Sequence, residues 1–165
     1  MTTRQLVLIR HAKAGGGAVD RDRPLADRGV AEAPAVGRWL AARRIGPDRV
    51  VVSPARRARQ TWELAAGELG PTAQPVLDER VYGNTVEDLL EIVRETPTEV
   101  TTLAIVGHNP GIQELAIALD DGRGDDADRT ELTTKYPTSA VAVFDVSDPW
   151  ARVRSATLTS FVKPR

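Results

Sequence analysis

The chain has no cysteine, and that closes off several chemistries at once. There can be no disulfide framework, no thiol nucleophile and no cysteine-rich zinc site, and the composition fits a cytoplasmic protein. Charge of one sign is missing too. Against 23 Asp and Glu stand 22 Lys and Arg, a formal net charge of −1, which supplies no global field for nucleic acid or an anionic membrane. No apolar run is long enough to span a bilayer, and the opening Met1-Thr2-Thr3-Arg4-Gln5 lacks the apolar stretch of a secretory leader. Repeats and long linkers are absent, so residues 1–165 read as one domain. Histidine is scarce as well: there are two.

Both histidines stand in the same kind of place. Leu6-Val7-Leu8-Ile9 is apolar on both faces, as a strand in the middle of a parallel sheet must be, and it runs straight into Arg10-His11. Leu103-Ala104-Ile105-Val106 is a second such run and leads into Gly107-His108-Asn109-Pro110. In open α/β sheets ligands bind beyond the carboxyl ends of the strands, so the two histidines are expected on one rim. With nearby arginines they are expected to form a phosphate pocket in which His11 is the nucleophile. A neutral imidazole attacks phosphorus well, and the planar, permanently charged guanidinium suits phosphate oxygens. No metal-ligand cluster accompanies the histidines, and neither metal nor cofactor is expected, although the scattered aspartates leave an acidic Mg²⁺ site open; a G-x-S-x-G elbow for a serine triad is missing.

Between these strands the pattern alternates. After His11, Gly15-Gly16-Gly17 marks a loop that continues into Asp20-Arg21-Asp22-Arg23. A helix capped by Asp27 is expected to run to about Arg44, irregular near Pro34. Strand 49–52 leads to Ser53-Pro54, read as N-cap and first residue of a helix ending near Leu69. Arg56, Arg57 and Arg59 point in different directions on it, so at most two can face the rim. A strand at 74–77, a turn at 78–83, a helix capped by Thr85, the strand ending at Val106 and helix 112–119 follow. A short helix at 128–133 and two β-rich segments, 140–146 and 153–158, close the chain. This alternation predicts an α/β fold: a three-layer sandwich with a mainly parallel central sheet and helices on both faces.

Arg10-His11-Ala12 resembles the R-H-G signature of the histidine phosphatase superfamily, whose fold is phosphoglycerate-mutase-like. Ser53-Pro54-Ala55-Arg56-Arg57-Ala58-Arg59-Gln60-Thr61 is similar to its S-x-x-x-R-A-x-Q-T segment, and Gly107-His108-Asn109-Pro110 to its second-histidine motif. Arg23-Pro24-Leu25 with Gly29, Tyr82-Gly83 with Leu89-Leu90, and the ending Phe161-Val162-Lys163-Pro164-Arg165 look most like the compact SixA-type phosphohistidine phosphatases. The resemblance implies a two-step transfer without a metal, in which His11 becomes phosphohistidine and water then releases phosphate. Arg10, Arg57 and His108 would hold the phosphoryl oxygens, and Glu79 is the implied proton donor. The expected partner is a phosphorylated protein or a small phosphoester. Two departures bear on substrate choice: Ala12 replaces the signature glycine, and Lys13 stands where polar residues are usual, a candidate for added positive charge in the pocket. A mutase of the same fold, or a silent phospho-ligand binding module, are the competing readings.

Overall fold

The β-branched and leucine-rich runs form the strands, and they assemble side by side. In the computed structural model, which describes residues 3–165, six strands make one sheet: β1 (Arg4–Arg10), β2 (Arg49–Val52), β3 (Val76–Leu77), β4 (Thr102–Gly107), β5 (Val141–Val146) and β6 (Thr157–Val162). Met1 and Thr2 of the expected lead-in lie outside the described residues. The strand order is β3-β2-β4-β1-β5-β6. The pairings β3·β2, β2·β4 and β4·β1 are parallel, while β5 and β6 add as an antiparallel edge.

Because side chains alternate across a strand, each strand feeds two cores. Leu6, Leu8, Leu103, Ile105 and Phe144 face one core, closed by α4 (Val86–Arg94), α5 (Gly111–Leu119) and α6 (Asp126–Thr134). Val7, Ile9, Val50, Val52, Ala104 and Val106 face the other, closed by α1 (Asp27–Ala42) and α2 (Arg56–Ala66). Each large side chain buried in this way contributes roughly 2 kcal/mol. The result is the expected three-layer sandwich. On the outer layer α1 and α2 pack so closely that a methyl group at Gly37 would overlap the carbonyl of Ala65. No helix of the described residues is long and apolar enough to cross a membrane.

Several boundaries differ from the sequence reading, and each has a local cause. Ala26 occupies the cap position of α1, making Asp27 the first helical residue, and the helix runs unbroken through Pro34. Helix α2 begins at Arg56 and ends at Ala66; Ser53 does not cap it, because its hydroxyl faces His108 instead. The expected turn at 78–83 contains a short helix, α3 (Glu79–Gly83), started by Asp78 accepting the Arg80 N–H at 2.9 Å. Thr85 does cap α4, accepting the Asp88 N–H. The last strand begins at Thr157 and not at Val153. Trp150 turns into the core and donates its indole N–H to the Val100 carbonyl at 2.8 Å, so a 3-10 turn at Trp150–Arg152 and four further residues precede β6.

The parallel register does the positioning. Arg10 pairs with Gly107 and Val52 with Val106, so β1, β4 and β2 end level with one another. The next residues, His11, His108 and Ser53, therefore leave the sheet together. Their exits are tied by the His11 N–H to the Gly107 carbonyl and the Ser53 N–H to the Val106 carbonyl, both 3.0 Å.

Candidate active site

His11 and His108 meet with ring centroids 5.1 Å apart, both buried. His11 Nδ1 lies 2.7 Å from the Ala12 carbonyl oxygen. A carbonyl can only accept, so Nδ1 carries the proton and Nε2 keeps its lone pair. His108 shares a 2.7 Å hydrogen bond between Nε2 and Ser53 Oγ, and its Nδ1 is buried without a partner. Both rings are held neutral. Burial, then the Arg57 and Arg10 charges, pushes His11 down to about 4 against the opposing pull of its bond to Ala12. Burial, followed by His11 and Arg57, pushes His108 down to about 3.

The three arginines of α2 are told apart by burial. Arg56 and Arg59 are exposed, while Arg57 is only 8% exposed. It donates through Nη1 to the Asp20 carbonyl at 2.8 Å and through Nη2 to Asp20 Oδ2 at 3.1 Å. Arg10 donates through Nη1 to the Tyr136 carbonyl at 2.8 Å, an oxygen that also accepts from Asn109 Nδ2 at 3.1 Å. Arg10 Nε is buried and unpaired. The structure thus gathers two imidazoles and two guanidiniums, with unpaired buried nitrogens on Arg10 and His108. The two guanidiniums and the free His108 nitrogen offer donors to an oxyanion, where a metal site would have carboxylates. Among the described residues no group of three His, Asp or Glu side chains could hold a metal ion.

Residues outside the expected set hold these groups in place. Thr61 Oγ1 accepts the Ala12 N–H at 2.9 Å and donates to the Arg57 carbonyl at 2.7 Å, linking both halves of the site. Gln60 Oε1 accepts the Leu25 N–H at 2.8 Å. Buried Ser139, with φ +68°, donates its N–H to the carbonyls of Arg10 and His11. Tyr82 meets His108 edge-on at 5.8 Å. Gly29 is required because a methyl there would overlap the Lys13 carbonyl, whose partner is the Ala26 N–H. Asp20 and Ser139 were not singled out from the sequence, and Tyr82 only as part of the Tyr82-Gly83 resemblance, since contacts spanning 37 to 129 residues leave no local signal.

Two expected members stand apart. Lys13 has an exposed side chain. Glu79 is 70% exposed and receives two hydrogen bonds from Arg21, at 2.8 and 2.7 Å, which hold its carboxyl below the usual value. In that pairing Glu79 fastens the loop before Arg23.

A sheet of this order with paired imidazoles at its carboxyl rim is phosphoglycerate-mutase-like. The histidine phosphatase superfamily (branch 1) model matches residues 6–134, and the chain belongs to that superfamily. It is 41% identical over 162 residues to a protein of Mycobacterium tuberculosis, covering 95% of this chain and 100% of that one. To the phosphohistidine phosphatase SixA of Escherichia coli it is 29% identical over 141 residues, 84% of this chain and 83% of that one. The structure of a proposed phosphohistidine phosphatase SixA from Nakamurella multipartitia is similar with a TM-score of 0.85 at 32% identity, covering 98% of this chain and 96% of that one. These matches align the chain with the SixA-type branch and support a phosphatase.

Proposed function

We propose that the protein is a metal-independent phosphatase that passes the phosphoryl group through His11, acting on phosphohistidine in proteins or on small phosphoesters. The observation that carries this is the state of His11: Nδ1 is tied to the Ala12 carbonyl, so Nε2 is the free, unprotonated nitrogen beside Arg10, Arg57 and His108. Nε2 attacks phosphorus and the bond to the leaving group breaks. Water then attacks the phosphohistidine, releasing inorganic phosphate and restoring the imidazole. Arg10, Arg57 and the free Nδ1 side of His108 take the phosphoryl oxygens as charge shifts in the transition state. The ionised state of Glu79 favours a substrate whose leaving group needs little protonation, and the imidazole of phosphohistidine is one.

Denaturant-quenched reactions with a ³²P-labelled phosphoramidate test the reading. The wild type should carry label on His11 that is stable in alkali and lost in acid, and His11→Ala should carry none and lose turnover by roughly 10³-fold or more. Activity should persist in excess chelator and be inhibited by vanadate. Full activity in His11→Ala, or activity restored to a chelated enzyme by Mg²⁺ or Zn²⁺, would contradict it.

A further inference from the structure

The 3-10 turn Asp20–Asp22 bridges α2 and α3. From it Asp20 reaches Arg57 and Tyr82, while Arg21 pairs with Glu79 and lies over the Tyr82 ring at 4.5 Å. None of its three residues is buried. Upstream lie Gly15, Gly16 and Gly17, and around Gly16 there is open space. A segment without buried apolar anchors opens at low cost.

What Asp20 holds is unusual for a surface carboxylate. Oδ2 accepts from Arg57 Nη2 at 3.1 Å and from the Tyr82 hydroxyl at 2.7 Å, and Oδ1 accepts from Arg23 Nη1 at 3.0 Å. Its carbonyl accepts from Arg57 Nη1 at 2.8 Å. Both terminal nitrogens of Arg57, the one arginine buried among the described residues, therefore donate to a single residue. The Tyr82 hydroxyl, Arg57 and Arg23 hold the carboxyl well below the usual carboxylate range, as donors converging on an anion do.

We propose that Asp20 is an internal competitor for the phosphoryl group: its carboxylate holds Arg57, Arg23 and Tyr82, yields them to an arriving phosphoryl group, and retakes them as inorganic phosphate leaves. The proposal rests on Arg57 binding phosphoryl oxygens, as proposed above, and it adds Arg23 and Tyr82 to the groups that meet them. A phosphoryl dianion carries twice the charge of a carboxylate and three oxygens, so it can displace Asp20. Asp20 in turn is tethered beside the site, so its high local concentration weakens the hold on the product.

Inorganic phosphate is the probe. Its dissociation constant by calorimetry, and its inhibition constant against hydrolysis of an aryl phosphate, should both fall by about ten-fold in Asp20→Ala, as removing a like charge beside a bound anion predicts. Asp20→Asn, which keeps the side chain's shape and loses its charge, should move both constants the same way, and it serves if the alanine variant does not fold. Unchanged or weaker phosphate binding in a folded variant would overturn the proposal and make Asp20 a residue that orients Arg57. A wild-type protein that neither binds phosphate nor hydrolyses the aryl phosphate would instead overturn the phosphatase reading on which the proposal rests.

Discussion

Ser53 Oγ lies 2.7 Å from His108 Nε2, so the second histidine is anchored by the strand beside its own. The serine also accepts the Ala55 N–H at 3.2 Å and is fully buried. With Nε2 engaged, Nδ1 is the nitrogen left without a partner, the one the proposed mechanism turns to a phosphoryl oxygen.

Ser53→Ala should therefore act through His108. It leaves a buried imidazole nitrogen without its partner, which costs about 1–3 kcal/mol, and should lower the melting temperature. Because His108 loses its fixed orientation, kcat/KM should fall roughly ten-fold, about 1.4 kcal/mol of transition-state stabilisation. Thermal melts and steady-state kinetics on the one variant read both effects. Unchanged kinetics would make the Ser53 contact purely structural.

The two imidazoles should be neutral through the ordinary pH range. Since the chain has two histidines, their ring signals can be followed by NMR without crowding, and titration midpoints near 4 for His11 and 3 for His108 are expected. An unfolded histidine takes its proton near 6.5, so between about 6.5 and 4 the unfolded chain binds more protons than the folded one. Stability should accordingly decline as pH falls through that window, and replacing His11 and His108 by asparagine should flatten the slope. Midpoints near 6.5 would mean the rings are solvated.

Glu79 and Arg57 should separate by their effects on two substrates. General acid catalysis is typically worth ~10²–10⁴-fold. Held ionised by Arg21, Glu79 should not supply it, and Glu79→Gln should change kcat/KM by less than about ten-fold on both an alkyl phosphate and a phosphohistidine protein. Arg57→Ala should damage both substrates strongly, because it meets the transferred group and not the leaving group. A large loss for Glu79→Gln confined to the alkyl phosphate would restore it as the proton donor.

Much of this site was legible in the chain. Apolar runs that end in Arg10-His11 and in Gly107-His108 state which strands are buried and that both histidines leave the sheet where they stop, because a strand covered on both faces admits no charge until it leaves the sheet. The second arginine, Arg57, came from the resemblance of Ser53–Thr61 to the family's segment, since helical spacing alone left three arginines open. What these residues do for one another was not legible. Ser53 reads as a helix cap, since a serine before a proline and a helical pattern has that local use; only the level ends of β2 and β4 bring its hydroxyl to His108. Nor does the sequence record that Glu79 pairs with Arg21, 58 positions earlier.

The sequence by itself determined the sheet, its layers and the residues that end at its rim, because burial patterns and strand exits are properties of short segments. Only the tertiary structure decided which nitrogen of His11 is free, which of three arginines is buried, and that Asp20 holds Arg57. Those depend on hydrogen bonds whose partners come from segments far apart in the chain, and no local pattern records them.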